Sequence, residues 1–269
     1  MRVSADAPVD REPDTIAPST PSPRGEKGRE LNPRLVSLVA PASFEAEQYR
    51  TLRLRLEARP EDKRLRVVAV TSAVPGEGKT TTAINLAGAL AQSRESRVLL
   101  VDADLRRPGV GAQLGLPDAR GAGLADAILD PQRSLESVIL RRLPLNIGIL
   151  TAGRLPPAPY EALQSSRLGE LFEEARRLFD YIVVDTPPLI PVPDCRLIAR
   201  CVDGILMVVA ADRTPRKLIE DGLNLIEPAK MLGLVFNGER RRWSGYYGYY
   251  RAYAGSRRAP RRELRRGTR

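Results

Sequence analysis

Residues 73–80 read Ala73-Val74-Pro75-Gly76-Glu77-Gly78-Lys79-Thr80, and they follow the apolar run at 67–70 after two residues. A strand, a glycine-rich loop ending in Gly-Lys-Thr and a helix, in that order, are the parts of a triphosphate-binding loop. Backbone N–H groups of such a loop converge on phosphate oxygens, its lysine reaches the outer phosphates, and its threonine hydroxyl binds Mg²⁺. Ala73 stands where the usual pattern has glycine. The residues predicted to bind nucleotide are Pro75, Gly76, Glu77, Gly78, Lys79, Thr80 and Thr81.

The segments around this loop alternate between apolar strands and helical patterns. Strands are predicted near 65–71, 97–102, 146–151, 181–185, 204–210 and 232–236. Helices are predicted near 44–57, 80–92, 159–178 and 215–226, the third of them broken around Ser165 and Ser166. Strands rich in Val, Ile and Leu between helices are typical of a parallel sheet buried on both faces. The predicted fold class is α/β: a P-loop NTPase with a mainly parallel sheet covered by helices on both faces, plus disordered N- and C-terminal tails.

Two of the predicted strands end in carboxylates. Residues 98–101 lead into Asp102-Ala103-Asp104, and residues 181–184 lead into Asp185. Ligands of an open parallel sheet lie at the carboxyl ends of its strands, so these aspartates are expected beside the phosphate loop. There they can hold Mg²⁺, and one can orient or deprotonate an attacking hydroxyl. Taken singly, each aspartate could instead be a polar strand terminator. The predicted catalytic residues are Lys79, Asp102, Asp104 and Asp185, and the predicted Mg²⁺ ligands are Thr80, Asp102 and Asp185.

Composition narrows the chemistry further. The 269 residues suffice for one large α/β domain or two small ones. The longest apolar run, 205–211, is too short to span a bilayer, and the polar, proline-rich N-terminus has no signal-peptide core. There is no histidine, and two cysteines are too few for a disulfide framework. We therefore expect a cytosolic protein whose chemistry rests on carboxylates, lysine and arginine.

The predicted domain organisation has three parts. Residues 1–43 hold seven prolines among polar residues and are predicted to be disordered, apart from a short apolar contact at 35–39. Residues 44–237 are predicted to form the P-loop domain, and 238–269 a flexible Tyr/Arg-rich tail. Residues 239–269 contain eleven arginines and two glutamates, which gives +9 out of the net charge of +10. The positive charge of the chain is therefore concentrated in the tail.

With these motifs the sequence resembles the bacterial tyrosine kinases (BY-kinases), cytoplasmic P-loop ATPases that govern capsular and exopolysaccharide assembly. The resemblance extends from about Leu35 to Tyr253. It implies that the loop with Lys79 is the Walker A motif, that the stretch 102–106 is Walker A′, and that Asp185 begins Walker B. It also implies ATP and Mg²⁺ as cofactors and an adenine contact from Asn237.

A C-terminal tyrosine cluster is the third hallmark of that family, and this chain has one. Its members are Tyr246, Tyr247, Tyr249, Tyr250 and Tyr253. The resemblance implies that these tyrosines are autophosphorylated, mostly between subunits. On composition alone, a Tyr/Arg-rich segment could instead stack on nucleic-acid bases. The upstream motifs favour the kinase over a nucleic-acid partner.

The first predicted helix carries a charged stripe. Glu47, Arg50 and Arg53 are spaced by three residues, which places them on one side of the helix. Taken alone, the stripe could be an ordinary solvated face with a weak Glu–Arg pair. By resemblance, it is the contact through which subunits form a homo-oligomeric ring, each placing its tail in the next subunit's site.

The resemblance further implies a partner and a location. The partner is a membrane-bound polysaccharide co-polymerase that activates the enzyme, which would place this chain in the cytoplasm, peripherally associated with the inner membrane. The rival function is a non-kinase ATP switch of the partition or division-site type, with a basic tail on DNA or membrane. Those ATPases carry a second lysine early in the loop, where this chain has Val74. A third interpretation, a metabolic P-loop enzyme with an RNA-binding tail, predicts salt-sensitive, ATP-independent RNA binding.

The charge of the tail leads to one more hypothesis. Five phosphotyrosines add about −8 to −10 at neutral pH, which nearly cancels the +9 of residues 239–269. The unmodified tail is therefore expected to associate with anionic membrane or with an acidic face of a neighbouring subunit, and phosphorylation is expected to release it.

Overall fold

The computed structural model describes residues 31–58, 65–93, 95–116, 121–141 and 146–238. The predicted N-terminal segment up to residue 30 lies outside the described residues, and so does residue 239 onward. The five tail tyrosines predicted as phosphorylation sites, Tyr246, Tyr247, Tyr249, Tyr250 and Tyr253, therefore also lie outside them. Within the described ranges, no helix combines the length and the apolar character needed to cross a membrane.

A mainly parallel sheet forms the centre of the described structure. Its seven strands are β1 (Val67–Ser72), β2 (Val98–Asp102), β3 (Leu140–Arg141), β4 (Ile147–Leu150), β5 (Tyr181–Asp185), β6 (Gly204–Ala210) and β7 (Met231–Asn237). They lie in the order β3-β4-β2-β5-β1-β6-β7, and only the pairing of β3 with β4 is antiparallel. The predicted parallel sheet is confirmed. The edge strand β3 was not predicted, because two residues are too few to show a period.

Helices cover the sheet on both faces, as predicted. They are α1 (Val36–Val39), α2 (Phe44–Glu57), α3 (Lys79–Leu90), α4 (Val110–Gln113), α5 (Leu124–Leu129), α6 (Pro159–Gln164), α7 (Ser166–Leu178), α8 (Asp194–Ile198) and α9 (Arg216–Leu223). The predicted break in the third helical pattern is confirmed, because Ser165 ends α6 and caps α7 by accepting a hydrogen bond from the Arg167 N–H at 3.2 Å. The helices that were not predicted, α1, α4, α5 and α8, are too short to show a helical period.

Each strand contributes side chains to two separate cores, because successive residues of a strand point to opposite faces. Val67 and Ala69 of β1 belong to the core beneath α5, α6, α7 and α8. Val68 and Val70 belong to the core beneath α2, α3 and α4. Every residue of the five central strands β1, β2, β4, β5 and β6 is consequently buried. The apolar runs read from the sequence are the result of burial on both sides.

The ordered domain begins earlier than the predicted boundary at residue 43. Leu35 is fully buried in the core beneath α3, at the start of the stretch 35–39 for which the sequence predicted a short apolar contact. The buried Asn85 of α3 accepts a hydrogen bond from the Ser37 N–H at 2.9 Å and donates one to the Arg34 carbonyl oxygen at 3.0 Å. The apolar contact expected at 35–39 is therefore part of the domain. Its order comes from contacts with α3 that are distant in sequence.

Candidate active site at the carboxyl edge of the sheet

Three neighbouring strands bring the predicted site residues to one edge of the sheet. β1 leads into the glycine-rich loop, β2 ends at Asp102 and β5 ends at Asp185. β5 lies between β1 and β2, and Asp102 and Asp185 are direct partners in the register of β2 with β5. The loop and the aspartates are therefore brought together as the sequence predicts, because parallel strands end at the same edge.

The backbone of the loop requires glycine at two positions. Gly76 and Gly78 have φ angles of +83° and +94°, in the left-handed region that side chains rarely adopt. Gly78 also caps the N-terminus of α3, and a Cβ there would lie 2.0 Å from the amide nitrogen of Asn237. The loop thus presents backbone N–H groups and the positive end of a twelve-residue helix at the place where phosphate is predicted to bind.

We expect Gly78→Ala to weaken nucleotide binding at least tenfold. The added methyl group meets the Asn237 side chain, and the left-handed backbone costs an alanine roughly 1–2 kcal/mol. Titration with a fluorescent ATP analogue measures the effect. The matched control is Gly169→Ala in α7, where an added Cβ has no atom within 4 Å and affinity should be unchanged. Equal affinity of the two variants would contradict the prediction.

Two of the residues predicted to contact the nucleotide, Glu77 and Asn237, form hydrogen bonds that support the loop from behind. The side chain of Glu77 is buried and accepts hydrogen bonds from the Val74 N–H at 3.1 Å and from the Thr214 hydroxyl after β6. The amide of Asn237, at the end of β7, donates to the Glu77 carbonyl oxygen at 2.9 Å. The loop is therefore fixed to the ends of β6 and β7. In this structure the Asn237 side chain that was predicted to contact adenine binds the loop backbone.

Lys79 lies among the predicted catalytic carboxylates. Its Nζ is 2.8 Å from an oxygen of Asp104 and 3.8 Å from one of Asp185. Burial disfavours the charged lysine, but attraction by Asp185 and Asp104 outweighs burial, and the pKa of Lys79 is raised above its ordinary value. The ammonium group therefore stays charged at neutral pH and can neutralise phosphate oxygens.

Asp102 and Asp104 organise the turn that follows β2. Asp102 accepts hydrogen bonds from the N–H groups of Gly109 at 3.0 Å and Val110 at 2.9 Å. Asp104 accepts one from the Arg107 N–H at 2.9 Å, besides its contact with Lys79. Burial raises the pKa of Asp102 to about 6, against the lowering effect of the Val110 hydrogen bond. Both N–H groups bind the same oxygen, Oδ2, so the direct Mg²⁺ ligation by Asp102 stays a prediction.

Asp185 differs from the other two carboxylates. Both of its oxygens are fully buried, and no described residue satisfies them with a hydrogen bond of normal geometry. Burial raises the pKa of Asp185 to about 7, although the positive charge of Lys79 opposes the shift. The Thr80 hydroxyl lies beside this carboxylate. Unsatisfied carboxylate oxygens next to a hydroxyl and a phosphate loop fit Mg²⁺, which usually takes one or two carboxylates, waters and phosphate oxygens.

The remaining loop residue, Thr81, faces α4. Its hydroxyl donates to the Gln113 side chain at 3.0 Å, so its side chain is engaged within the protein and only its N–H remains for a phosphate. Among the described residues, no group of three His, Cys, Asp or Glu side chains forms a preformed metal site.

A family model described as an AAA domain matches residues 65–211. Tyrosine-protein kinase YwqD of Bacillus subtilis (strain 168) is 34% identical over 229 residues, which cover 84% of this chain and 95% of YwqD. The chain belongs to the bacterial tyrosine kinase family.

Two further matches extend the comparison of this BY-kinase. The kinase domain of Escherichia coli tyrosine kinase ETK superimposes with a TM-score of 0.72 at 30% identity, covering 80% of this chain and 84% of that domain. The succinoglycan biosynthesis transport protein ExoP of Rhizobium meliloti (strain 1021) is 38% identical over 204 residues. This BY-kinase spans 74% of its own length in that match but only 25% of ExoP.

One ion pair in the BY-kinase site was not predicted from the sequence. Arg106, in the turn after β2, donates two hydrogen bonds to Asp194 at 2.7 and 3.0 Å. Asp194 begins α8 and is fully buried. The pair joins the segment that carries Asp104 to the segment that follows Asp185. Only the fold brings these residues together, since 88 positions separate them.

We expect Asp194→Asn to lower the kinase rate about tenfold and the free energy of unfolding by roughly 1–3 kcal/mol. A buried aspartate paired on both oxygens is replaced by an amide that cannot accept both bonds, so the two segments lose their fixed distance. Urea denaturation and initial rates measure the two effects. The control is Glu220→Gln, which breaks an exposed pair with Arg216 and should change stability by less than about 0.5 kcal/mol. A normal rate in Asp194→Asn would refute the positioning role.

The predicted oligomerisation stripe lies on α2, away from the phosphate loop. Arg50 contacts Glu47, the Pro41 carbonyl oxygen at 2.7 Å and Gln92 at 2.8 Å. Arg53 contacts Glu57 at 2.9 Å and the carbonyl oxygen of Ala89 in α3 at 3.1 Å. Both arginines therefore brace α2 against the end of α3 within one chain, while their side chains remain partly accessible.

Proposed function

We propose that this chain is an ATP-dependent protein-tyrosine autokinase that phosphorylates its own C-terminal tyrosine cluster between subunits. The observation that carries the proposal is the grouping of Lys79, Asp104 and the unsatisfied Asp185 beneath a glycine-rich loop. The names of the relatives support tyrosine as the acceptor. The acceptors would be Tyr246, Tyr247, Tyr249, Tyr250 and Tyr253.

Each group of the site has a defined task in phosphoryl transfer. The loop N–H groups and Lys79 would hold the outer phosphates of ATP, and Thr80 and Asp185 would hold Mg²⁺. When bound, Mg²⁺ supplies neutralisation of the charge on the transferred phosphate. Lys79 would exchange its bond to Asp104 for the phosphates. Asp104 is then able to orient or deprotonate the attacking phenol, which is protonated at neutral pH because its ordinary pKa is near 10.

The partition-type ATP switch is supported less well. Such an ATPase needs a second lysine early in the loop, and this position is Val74, whose backbone N–H donates to Glu77 within the loop. The relatives described above are kinases or a polysaccharide biosynthesis protein. No observation on the described residues favours a DNA-binding or RNA-binding role.

We further propose a ring of subunits that works with a membrane-bound polysaccharide co-polymerase. The stripe of Glu47, Arg50 and Arg53 would supply the subunit contact, since its side chains stay partly accessible. The match to one quarter of ExoP supports a partner that supplies the rest of a longer transport system. The kinase would then sit in the cytoplasm at the inner membrane and regulate capsular or exopolysaccharide polymerisation and export. Phosphorylation would also release the basic tail from anionic surfaces.

Phosphosite mapping by mass spectrometry tests the kinase proposal. Wild type, Lys79→Met and a chain ending at Asn237 would be incubated with Mg²⁺-ATP, each with and without the cytoplasmic tail of the co-polymerase. Phosphate confined to 246–253 and absent from Lys79→Met is the expected result. Mixing full-length Lys79→Met with the active chain ending at Asn237 should place phosphate on the inactive chain, since transfer occurs between subunits. ATP binding without any phosphotyrosine would instead favour the ATP switch.

A further inference from the structure

A cavity lies on the opposite face of the sheet from α3. Its volume is about 230 Å³, and its walls come from α8, the start of β6 and the segment before β7. Apolar side chains form its floor, among them Leu189, Cys195, Ile205 and Ile226. Pockets for drug-sized ligands usually measure about 300–1,000 Å³. This cavity, called here the α8 cavity, is therefore sized for one large side chain.

Positive charge surrounds the apolar floor. Arg196, Arg200 and Lys230 line the α8 cavity against a single acid, Glu227. Neither arginine has an ion-pair partner among the residues that the structure describes. Lys230 donates to the carbonyl oxygens of Ala199 and Val202, and its ammonium group retains a third donor. The cavity therefore combines an apolar floor with cations that lack anionic partners.

We propose that the α8 cavity binds a phosphotyrosine of this chain's own C-terminal cluster. The apolar floor would take the aromatic ring, and Arg196 and Arg200 would take the phosphate, which prefers the planar fork of arginine. Both arginines line the cavity, Arg196 from α8 and Arg200 from the turn that follows this helix. The inference rests on the proposed function only as the source of the phosphotyrosine. The site itself is separate from the nucleotide site.

Chain length allows the C-terminal cluster to reach this cavity. Tyr246 follows the end of β7 by nine residues, which can extend about 30 Å. The seven residues of β7 span roughly 23 Å, and Lys230 of the cavity directly precedes that strand. The cluster can therefore reach the α8 cavity of its own subunit as well as that of another.

A ligand in the α8 cavity would contact the segment between Asp185 and Asp194 on the side away from the nucleotide site. Leu189 belongs to the stretch between Asp185 and Asp194, and its N–H donates to the Ser72 carbonyl oxygen at the end of β1 at 2.8 Å. Cys195 directly follows Asp194, the partner of Arg106. A phosphorylated tail held there is removed from the catalytic edge and contacts the segment that carries two site aspartates. The cavity would thus retain the product of the kinase.

Fluorescence polarisation with a synthetic peptide tests the proposal without requiring kinase activity. The peptide covers residues 244–254 with phosphotyrosine at Tyr250, and the full-length chain is first treated with a phosphatase and kept without ATP. We expect at least tenfold tighter binding of the phosphorylated peptide than of the unmodified one. Arg196→Ala/Arg200→Ala should weaken that binding at least tenfold, and Arg196→Lys/Arg200→Lys should restore part of it.

The matched control is Arg55→Ala/Arg177→Ala, which removes two exposed arginines outside the α8 cavity. Its affinity should stay within threefold of wild type, and circular dichroism melting should show that all variants are folded. Equal losses in both double alanine variants, or equal binding of the two peptides, would overturn the proposal. Because the peptide is synthetic, the binding result does not depend on whether the chain phosphorylates its own tyrosines. The binding assay therefore tests the α8 cavity, and phosphosite mapping separately tests the kinase proposal.

Discussion

Lys79→Met is expected to reduce autophosphorylation by at least about 10³-fold and to destabilise the nucleotide-free protein by roughly 2 kcal/mol. The activity is lost because no other described ammonium group lies beneath the loop to neutralise the phosphates. The stability is lost because the carboxylates of Asp104 and Asp185 remain buried without their cation. Phosphotyrosine formation per subunit and thermal melting without nucleotide measure the two effects.

The control for Lys79→Met is Lys79→Arg, which keeps a positive charge but changes its shape. It should retain most of the stability and still lose most of the activity, because a bulkier guanidinium group does not fit the same space. Wild-type stability in Lys79→Met would show that the ion pair with Asp104 contributes nothing to the fold. Substantial tyrosine phosphorylation in that variant would remove Lys79 from the proposed mechanism.

Asp185→Asn is expected to have the opposite effect on stability while also abolishing activity. The activity should fall about 10²- to 10³-fold because the proposed Mg²⁺ ligand is lost. The nucleotide-free protein should gain roughly 1–3 kcal/mol at pH 7.5, because a buried carboxylate with unsatisfied oxygens is replaced by a neutral amide of the same shape. Mg²⁺-ATP should raise the melting temperature of wild type and not that of Asp185→Asn.

The gain from Asp185→Asn should depend on pH in a defined direction. The pKa of Asp185 is about 7 in the folded protein, against about 4 for an aspartate in an unfolded chain. Its contribution to stability is therefore fully present below about pH 4 and is lost as the pH rises toward 7. The stability difference between variant and wild type should grow over this range and then level off. If the stability difference between Asp185→Asn and wild type does not change between pH 4.5 and 7.5, the pKa of Asp185 is not raised in the folded protein.

The sequence was sufficient for the parts of the site that follow strand ends. The loop around Lys79 and the aspartates at 102, 104 and 185 could be predicted because parallel strands bring their carboxyl ends to one edge. Their individual roles could not. That Asp102 is bound by backbone groups whereas Asp185 is unsatisfied depends on the turn before α4. A motif specifies which side chains meet, and packing determines which of them remain available.

Other contributions had no local signal. Glu77 reads as one more loop residue, yet it is held by Thr214, which follows β6. Arg106 and Asp194 form a pair only because β2 and β5 are neighbours in the sheet. In each case a partner distant in sequence supplies the stabilisation. Secondary-structure propensity and hydrophobic periodicity cannot predict such partners.

The bracing of α3 by α2 has a thermodynamic consequence. α3 begins at Lys79 and ends near Ala89, whose carbonyl oxygen is bound by Arg53. If an adjoining subunit forms contacts with Arg50 and Arg53, the C-terminal end of α3 loses its hydrogen bond from Arg53, and Gln92 just beyond it loses the bond from Arg50. Assembly and nucleotide affinity would then share a coupling free energy, and reciprocity requires that each alter the other by the same factor. Through α3, nucleotide binding at the phosphate loop would thus change the free energy of subunit dissociation.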